Sequence, residues 1–78
     1  MSQRWPALKP REVLRALSRG GFDVHHLTGS HYVLKHPQKP MLRVTLPWHN
    51  RDLKRGTLAS IIDQAGLTNE QFIALLRQ

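Results

Sequence analysis

Hydrophobic residues recur along this chain with two different periods, and each change of period marks an element. Between Pro10 and Arg19, Val13, Leu14 and Leu17 fall on one helical stripe, with Pro10 suited to the first turn. This predicts a helix that Gly20-Gly21 ends. From Phe22 to Thr28, Phe22, Val24 and His26 alternate with Asp23, His25 and Leu27, an imperfect strand pattern. Gly29-Ser30 then supplies a turn, and His31 to His36, rich in β-forming residues, predicts a second strand that Pro37-Gln38-Lys39-Pro40 breaks. In a third strand, Met41 to Leu46, Leu42, Val44 and Leu46 point one way while Arg43 and Thr45 point the other. That is the signature of a sheet with one face in water.

Pro47 has no N–H to donate to a central strand, so residues 47–56 read as a loop. A helix then opens with Thr57 as N-cap. Leu58, Ile61, Ile62 and Ala65 follow at i, i+3, i+4, i+7, and Gly66 stands where a C-terminal cap belongs. Thr68 and Gln71 have capping-box spacing for a last short helix with Phe72, Leu75 and Leu76 on its inner face. The expected fold is α+β: a two-layer sandwich of helix, three-stranded antiparallel sheet and helix, plus a short C-terminal helix, in one domain over residues 1–78. This is the element order of the double-stranded-RNA-binding domain, which reads duplex RNA by shape and backbone contacts. Element order does not by itself assign a function.

Charge narrows the partner class. Twelve Lys and Arg stand against five Asp and Glu, a formal net charge of +7 with neutral histidines, which favours a polyanion or an acidic protein as partner. Residues 1–56 carry +8 and residues 57–78 carry −1, so the first part is the candidate binding surface and the tail is scaffold. Arg11, Arg15 and Arg19 at i, i+4, i+8 form a basic ridge on the first helix, equally readable as a phosphate-following surface or a solvated face. No apolar run approaches the ~20 residues of a membrane-spanning helix, and the N-terminus has no signal-like apolar core, so a cytoplasmic protein with no membrane partner is expected.

Cysteine is absent, which removes disulfides, thiolate nucleophiles and thiolate zinc sites. The five histidines do not pair at spacings that converge on one ion, the five carboxylates are scattered, and no glycine-rich phosphate loop precedes a helix. Neither metal nor cofactor is expected.

Gly29-Ser30-His31 is the more informative cluster. A histidine at a strand start beside a glycine turn is accessible from the sheet surface, and an imidazole can take up or give a proton. Lys35 and Arg43 on the open face could hold a phosphate near it, and Lys54 and Arg55 could make a further phosphate contact before the second long helix. RNA carries its own nucleophile in the 2′-hydroxyl, so a small basic domain can cleave it by deprotonating that group and stabilising the crowded phosphate. Spacing alone nevertheless favours an ordinary surface or turn histidine at position 31. Trp48 fits stacking on an unpaired base less well than packing the loop onto the core, and His49 is open between a second site histidine and a loop residue.

Gly20-Gly21-Phe22, Gly29-Ser30-His31-Tyr32, Leu46-Pro47-Trp48-His49 and Leu53-Lys54-Arg55-Gly56-Thr57-Leu58, continuing through Ile61-Ile62 and Ala65-Gly66, together resemble the HicA toxin family over nearly the whole chain. The resemblance implies a double-stranded-RNA-binding-like fold, cleavage of messenger RNA, and neutralisation by a HicB-type antitoxin. It makes His31 the catalytic residue; the candidate RNA-binding positions beside it, Gly29, Ser30, Lys35, Arg43, Lys54 and Arg55, come from the reading of the residues themselves. The competing expectation is a noncatalytic double-stranded-RNA-binding module, which needs no histidine at position 31; a DNA-binding accessory protein is a third.

Overall fold

A computed structural model describes residues 6–78. Helix α1 (Pro10–Arg19) leads into strands β1 (Asp23–Thr28), β2 (His31–His36) and β3 (Lys39–Pro47), followed by helices α2 (Arg55–Gln64) and α3 (Asn69–Leu76). The strands form one antiparallel sheet in the order β1-β2-β3. With helices flanking that sheet, the fold is α+β and consistent with the double-stranded-RNA-binding-domain type.

The first helix keeps its predicted bounds. Its N-terminus is closed by the Glu12 carboxylate, which accepts the Lys9 backbone N–H at 2.9 Å. Val13, Ala16 and Leu17 are buried in the core with Leu34, Val44, Leu46, Leu58, Ile61, Ile62 and Phe72. At its other end, the Arg19 guanidinium donates to the carbonyl of Leu75 at 2.9 Å and to that of Leu76 at 3.4 Å. These are carbonyls that a helix terminus leaves without intrahelical donors, so Arg19 fastens α3 to α1. Of the three arginines of the ridge, Arg11 and Arg15 make no side-chain hydrogen bond or ion pair among the described residues.

The imperfect alternation of the first strand has a physical cause. Val24 pairs with Leu34 and His26 with Val33, which leaves His25 as the extra residue of a β-bulge. The bulge resets the alternation, so that Val24 and Leu27 share the helix-side face although they are three residues apart. Phe22 lies before the strand and is buried in the core. All six strand residues are exposed, Val24 at 46% and Leu27 at 53%, because α1 and α2 pack against β3 and leave β1 outside their cover.

The third strand is longer than its pattern suggested. Only Pro37 and Gln38 form the turn, and Lys39, Pro40 and Pro47 belong to the strand. Pro47 is tolerated because β3 is an edge strand, where an absent outward N–H costs no ladder bond, and Pro40 falls in the register irregularity between the Lys35–Arg43 and His36–Lys39 pairs. On that edge the Thr45 N–H donates to Gln64 Oε1 at 2.9 Å, and Gln64 Nε2 donates to Ser60 Oγ at 3.0 Å.

Helix α2 begins two residues before Thr57. Lys54 is its N-cap, Thr57 is half-buried inside the first turn, and the Leu58 N–H bonds the Lys54 carbonyl at 2.9 Å. Leu53 and Leu58, both against the core, occupy the positions of a hydrophobic staple, so burial rather than a hydroxyl cap fixes this start. The end is as predicted: Gly66 adopts φ 69°, its N–H bonds the Asp63 carbonyl, and the Leu67 N–H bonds that of Ile62, a complete Schellman motif. The Thr68 and Gln71 capping box is also present, with bonds of 2.8 and 3.1 Å.

Candidate active site

Gly29 and Ser30 form the two-residue turn between β1 and β2, with Thr28 and His31 paired across it. Gly29 adopts φ 44°, and a Cβ there would meet nothing within 4 Å, so its backbone conformation, not crowding, favours glycine. His31 follows as the first residue of β2, exposed, with Nδ1 3.2 Å from Ser30 Oγ. Its own carbonyl accepts the Thr28 hydroxyl at 3.4 Å. From the other side, Pro47 pairs with His31 across β2 and β3, and the Trp48 N–H donates to the Ser30 carbonyl at 2.7 Å. The turn, the strand start and the loop after β3 thus converge on one end of the sheet.

The predicted cations divide between two places. Lys35 and Arg43 are direct cross-strand partners and share the open face with His31. Lys35 stands four positions along the strand from His31, about 13 Å at the usual rise. Asp23, the partner of Lys35 on the other side, further weakens the positive field there. Lys54 is better placed. It lines a cleft of about 350 Å³ with Pro47, His49, Arg51, Asp52, Leu53 and Thr57, and Pro47 is the residue opposite His31. Arg55, exposed in the first turn of α2, is its neighbour in sequence.

Two histidines are accounted for by hydrogen bonding. His49, half-buried, accepts the Arg51 N–H on Nδ1 at 3.1 Å, so the neutral ring carries its proton on Nε2. His36, 9% exposed, accepts the Gln38 N–H on Nδ1 and donates from Nε2 to the Gly20 carbonyl, both at 3.2 Å, with its ring edge-on to Phe22. It is a structural residue tying the β2-β3 turn to the end of α1. Trp48 packs edge-on to Tyr32, ring centroids 4.5 Å apart, and lies against the core, as the packing reading required. Among the described residues no three His, Asp or Glu side chains gather as a metal-ligand set, and no helix is long and apolar enough to cross a membrane.

Sequence reasoning missed Lys9, which lines a second cleft of about 320 Å³ with Arg11, Trp48, His49 and Asn50. Nothing in the sequence signalled it, because Lys9 meets His49 only through the fold.

The chain is thus a small basic α+β domain with an exposed turn histidine at one end of its sheet. A family model described as "HicA toxin of bacterial toxin-antitoxin" matches residues 10–67. The chain belongs to the HicA toxin family, whose members are the toxins of toxin-antitoxin pairs and act opposite a cognate antitoxin. No curated protein matches it.

Proposed function

We propose that this toxin, acting through a single domain over residues 1–78, is a metal-independent endoribonuclease that cleaves messenger RNA with His31 as general base. Its restraint by a HicB-type antitoxin protein makes the pair a type II system. One observation carries the reading: an exposed imidazole on the Gly29-Ser30 turn, its Nδ1 3.2 Å from a hydroxyl, on the open face of a strongly basic chain.

When Nδ1–H donates to Ser30 Oγ, Nε2 offers its lone pair to the 2′-hydroxyl proton. The 2′-oxygen then bonds to the adjacent phosphorus while the bond from phosphorus to the 5′-oxygen breaks, giving a 2′,3′-cyclic phosphate and a 5′-hydroxyl. His49, neutral while Nδ1 accepts the Arg51 N–H, is a hydrogen-bond donor to phosphate and not an imidazolium acid. The leaving oxygen therefore takes its proton from solvent. Lys54 and Arg55 stabilise the charge that builds on phosphate. Cations at the start of a helix oppose its dipole, and a local rule broken in this way is expected where function needs charge. Gly29 and Ser30 contact the RNA at the turn, and Lys35 with Arg43 hold a phosphate further along the strand.

The test is incubation of purified protein and its His31→Ala variant with single-stranded RNA in excess EDTA. The expected result is cleavage leaving cyclic phosphate or 3′-phosphate ends, reduced ~100-fold to 10,000-fold by the substitution with melting unchanged. Duplex RNA binding without any cleavage would replace this reading with the noncatalytic module.

A further inference from the structure

Clefts that contain basic side chains differ in their chemistry. The one lined by Arg19, Gly20, Gly21, His36, Pro37 and Gln38 has no uncommitted cation: Arg19 is bonded to α3, and both ring nitrogens of His36 are occupied. The one beside Lys54 includes the carboxylate of Asp52. The cleft lined by Lys9, Arg11, Trp48, His49 and Asn50 contains two cations and no acid. Neither cation makes a side-chain hydrogen bond or ion pair among the described residues, and the nearby acid, Glu12, is turned onto the Lys9 backbone N–H.

Ring packing and hydrogen bonds orient the walls of this cleft. The Trp48 indole is fixed edge-on to Tyr32, and its backbone N–H is tied to the Ser30 carbonyl, one residue from His31. His49 is oriented by the Arg51 N–H, which leaves Nε2–H as a donor, and His49 lines the Lys54 cleft as well. The imidazole is thus the partition between two basic clefts, of which the Lys54 cleft also contains Pro47, the partner of His31. A strand bound at His31 and Lys54 can continue past His49 into the cleft of Lys9 and Arg11. There it meets a cation pair suited to a phosphate, aromatic rings suited to a base face, and the Asn50 amide, able both to donate to and accept from a base edge.

We propose that this cleft is a nucleotide subsite for single-stranded RNA, with Lys9 and Arg11 holding the phosphodiester next to the one that is cut and Trp48, His49 and Asn50 holding its base. The assignment rests on the ribonuclease reading, yet its binding step can be measured without catalysis.

The probe is a 2′-O-methyl RNA hexanucleotide, which cannot be cleaved because its 2′-oxygen carries no proton. Its binding to the full chain is followed by fluorescence anisotropy across a salt series. A Lys9→Gln, Arg11→Gln double variant is expected to bind it several-fold more weakly, with the slope of log K against log salt reduced by about 0.7, one phosphate's share. An Arg19→Gln control should keep the wild-type slope. In cleavage assays, the double variant should raise KM for hexanucleotides and leave kcat near wild type. Unchanged affinity and slope in the folded double variant would overturn the subsite. So would intact RNA binding with loss of antitoxin binding, which would make the cleft a protein-docking surface. Wild-type protein that binds the probe but cuts no RNA would overturn the ribonuclease reading and leave the subsite standing.

Discussion

The Ser30 hydroxyl lies 3.2 Å from Nδ1 of His31, on the turn that brings β1 into β2. Because Ser30 precedes His31 directly, the backbone itself sets this contact, and the hydroxyl can select the tautomer in which Nε2 is the free base. Ser30→Ala is expected to lower kcat for RNA cleavage by less than the ~100-fold to 10,000-fold ascribed to the base itself. Melting should stay within a degree or two of wild type, and Ser30→Thr, which keeps the hydroxyl, should recover activity. An alanine variant with full kcat would separate Ser30 from catalysis.

Arg19 separates structural from RNA-binding charge on a single helix. Arg19→Gln loses the guanidinium bonds to the Leu75 and Leu76 carbonyls and should destabilise the fold by about 0.5–1.5 kcal/mol, read from urea unfolding. A pronounced fall in the salt slope of RNA binding for this variant would mean that the arginine also serves the nucleic acid.

Gly21 lies in the left-handed region at φ 97°, and a Cβ there would approach His36 Nε2 to 2.7 Å. Gly21→Ala is expected to cost at least ~1–2 kcal/mol from backbone conformation alone, with a further loss from the crowded ring. Adding His36→Ala should recover the crowding part only, so the two substitutions would be non-additive in a double-mutant cycle. Strict additivity would show that the ring yields freely.

Gln64 closes an exposed strand edge from outside the sheet. Gln64→Ala should cost about 0.5–1.5 kcal/mol and speed the exchange of the Thr45 amide hydrogen, measured by hydrogen-deuterium exchange. Thr45 protection equal to wild type would mean that the carboxamide contributes nothing in solution.

Local rules made most of the fold legible. The Thr68 and Gln71 box, the Gly66 terminus and the apolar stripe of α1 each depend on residues within a turn or two, and all are found where their spacing put them. Thr57 misled because a hydroxyl before an apolar run looks like a cap, whereas the start of α2 is set by burial of Leu53 and Leu58. The bulge at His25 was legible only as a fault in the alternation. For the site, the turn carrying His31 could be read locally. The separation of Lys35 and Arg43 from it, and the meeting of Lys9 with His49, depend on strand register and chain return, which spacing does not encode.

The two edges of the sheet are unequal in a way that limits self-assembly. On β3 the outward position at Thr45 is occupied by Gln64, and the next outward position, Pro47, has no N–H. On β1 no strand among the described residues pairs with the outer edge, and Leu27 and Val24 are exposed beside it. Polymerisation by strand addition needs two complementary ends on every subunit, one to receive and one to offer. With β3 the poorer edge at its Thr45 and Pro47 end, the favoured pairing is β1 to β1, which is isologous and closes on itself, so growth by this route terminates at two chains instead of propagating into a fibre.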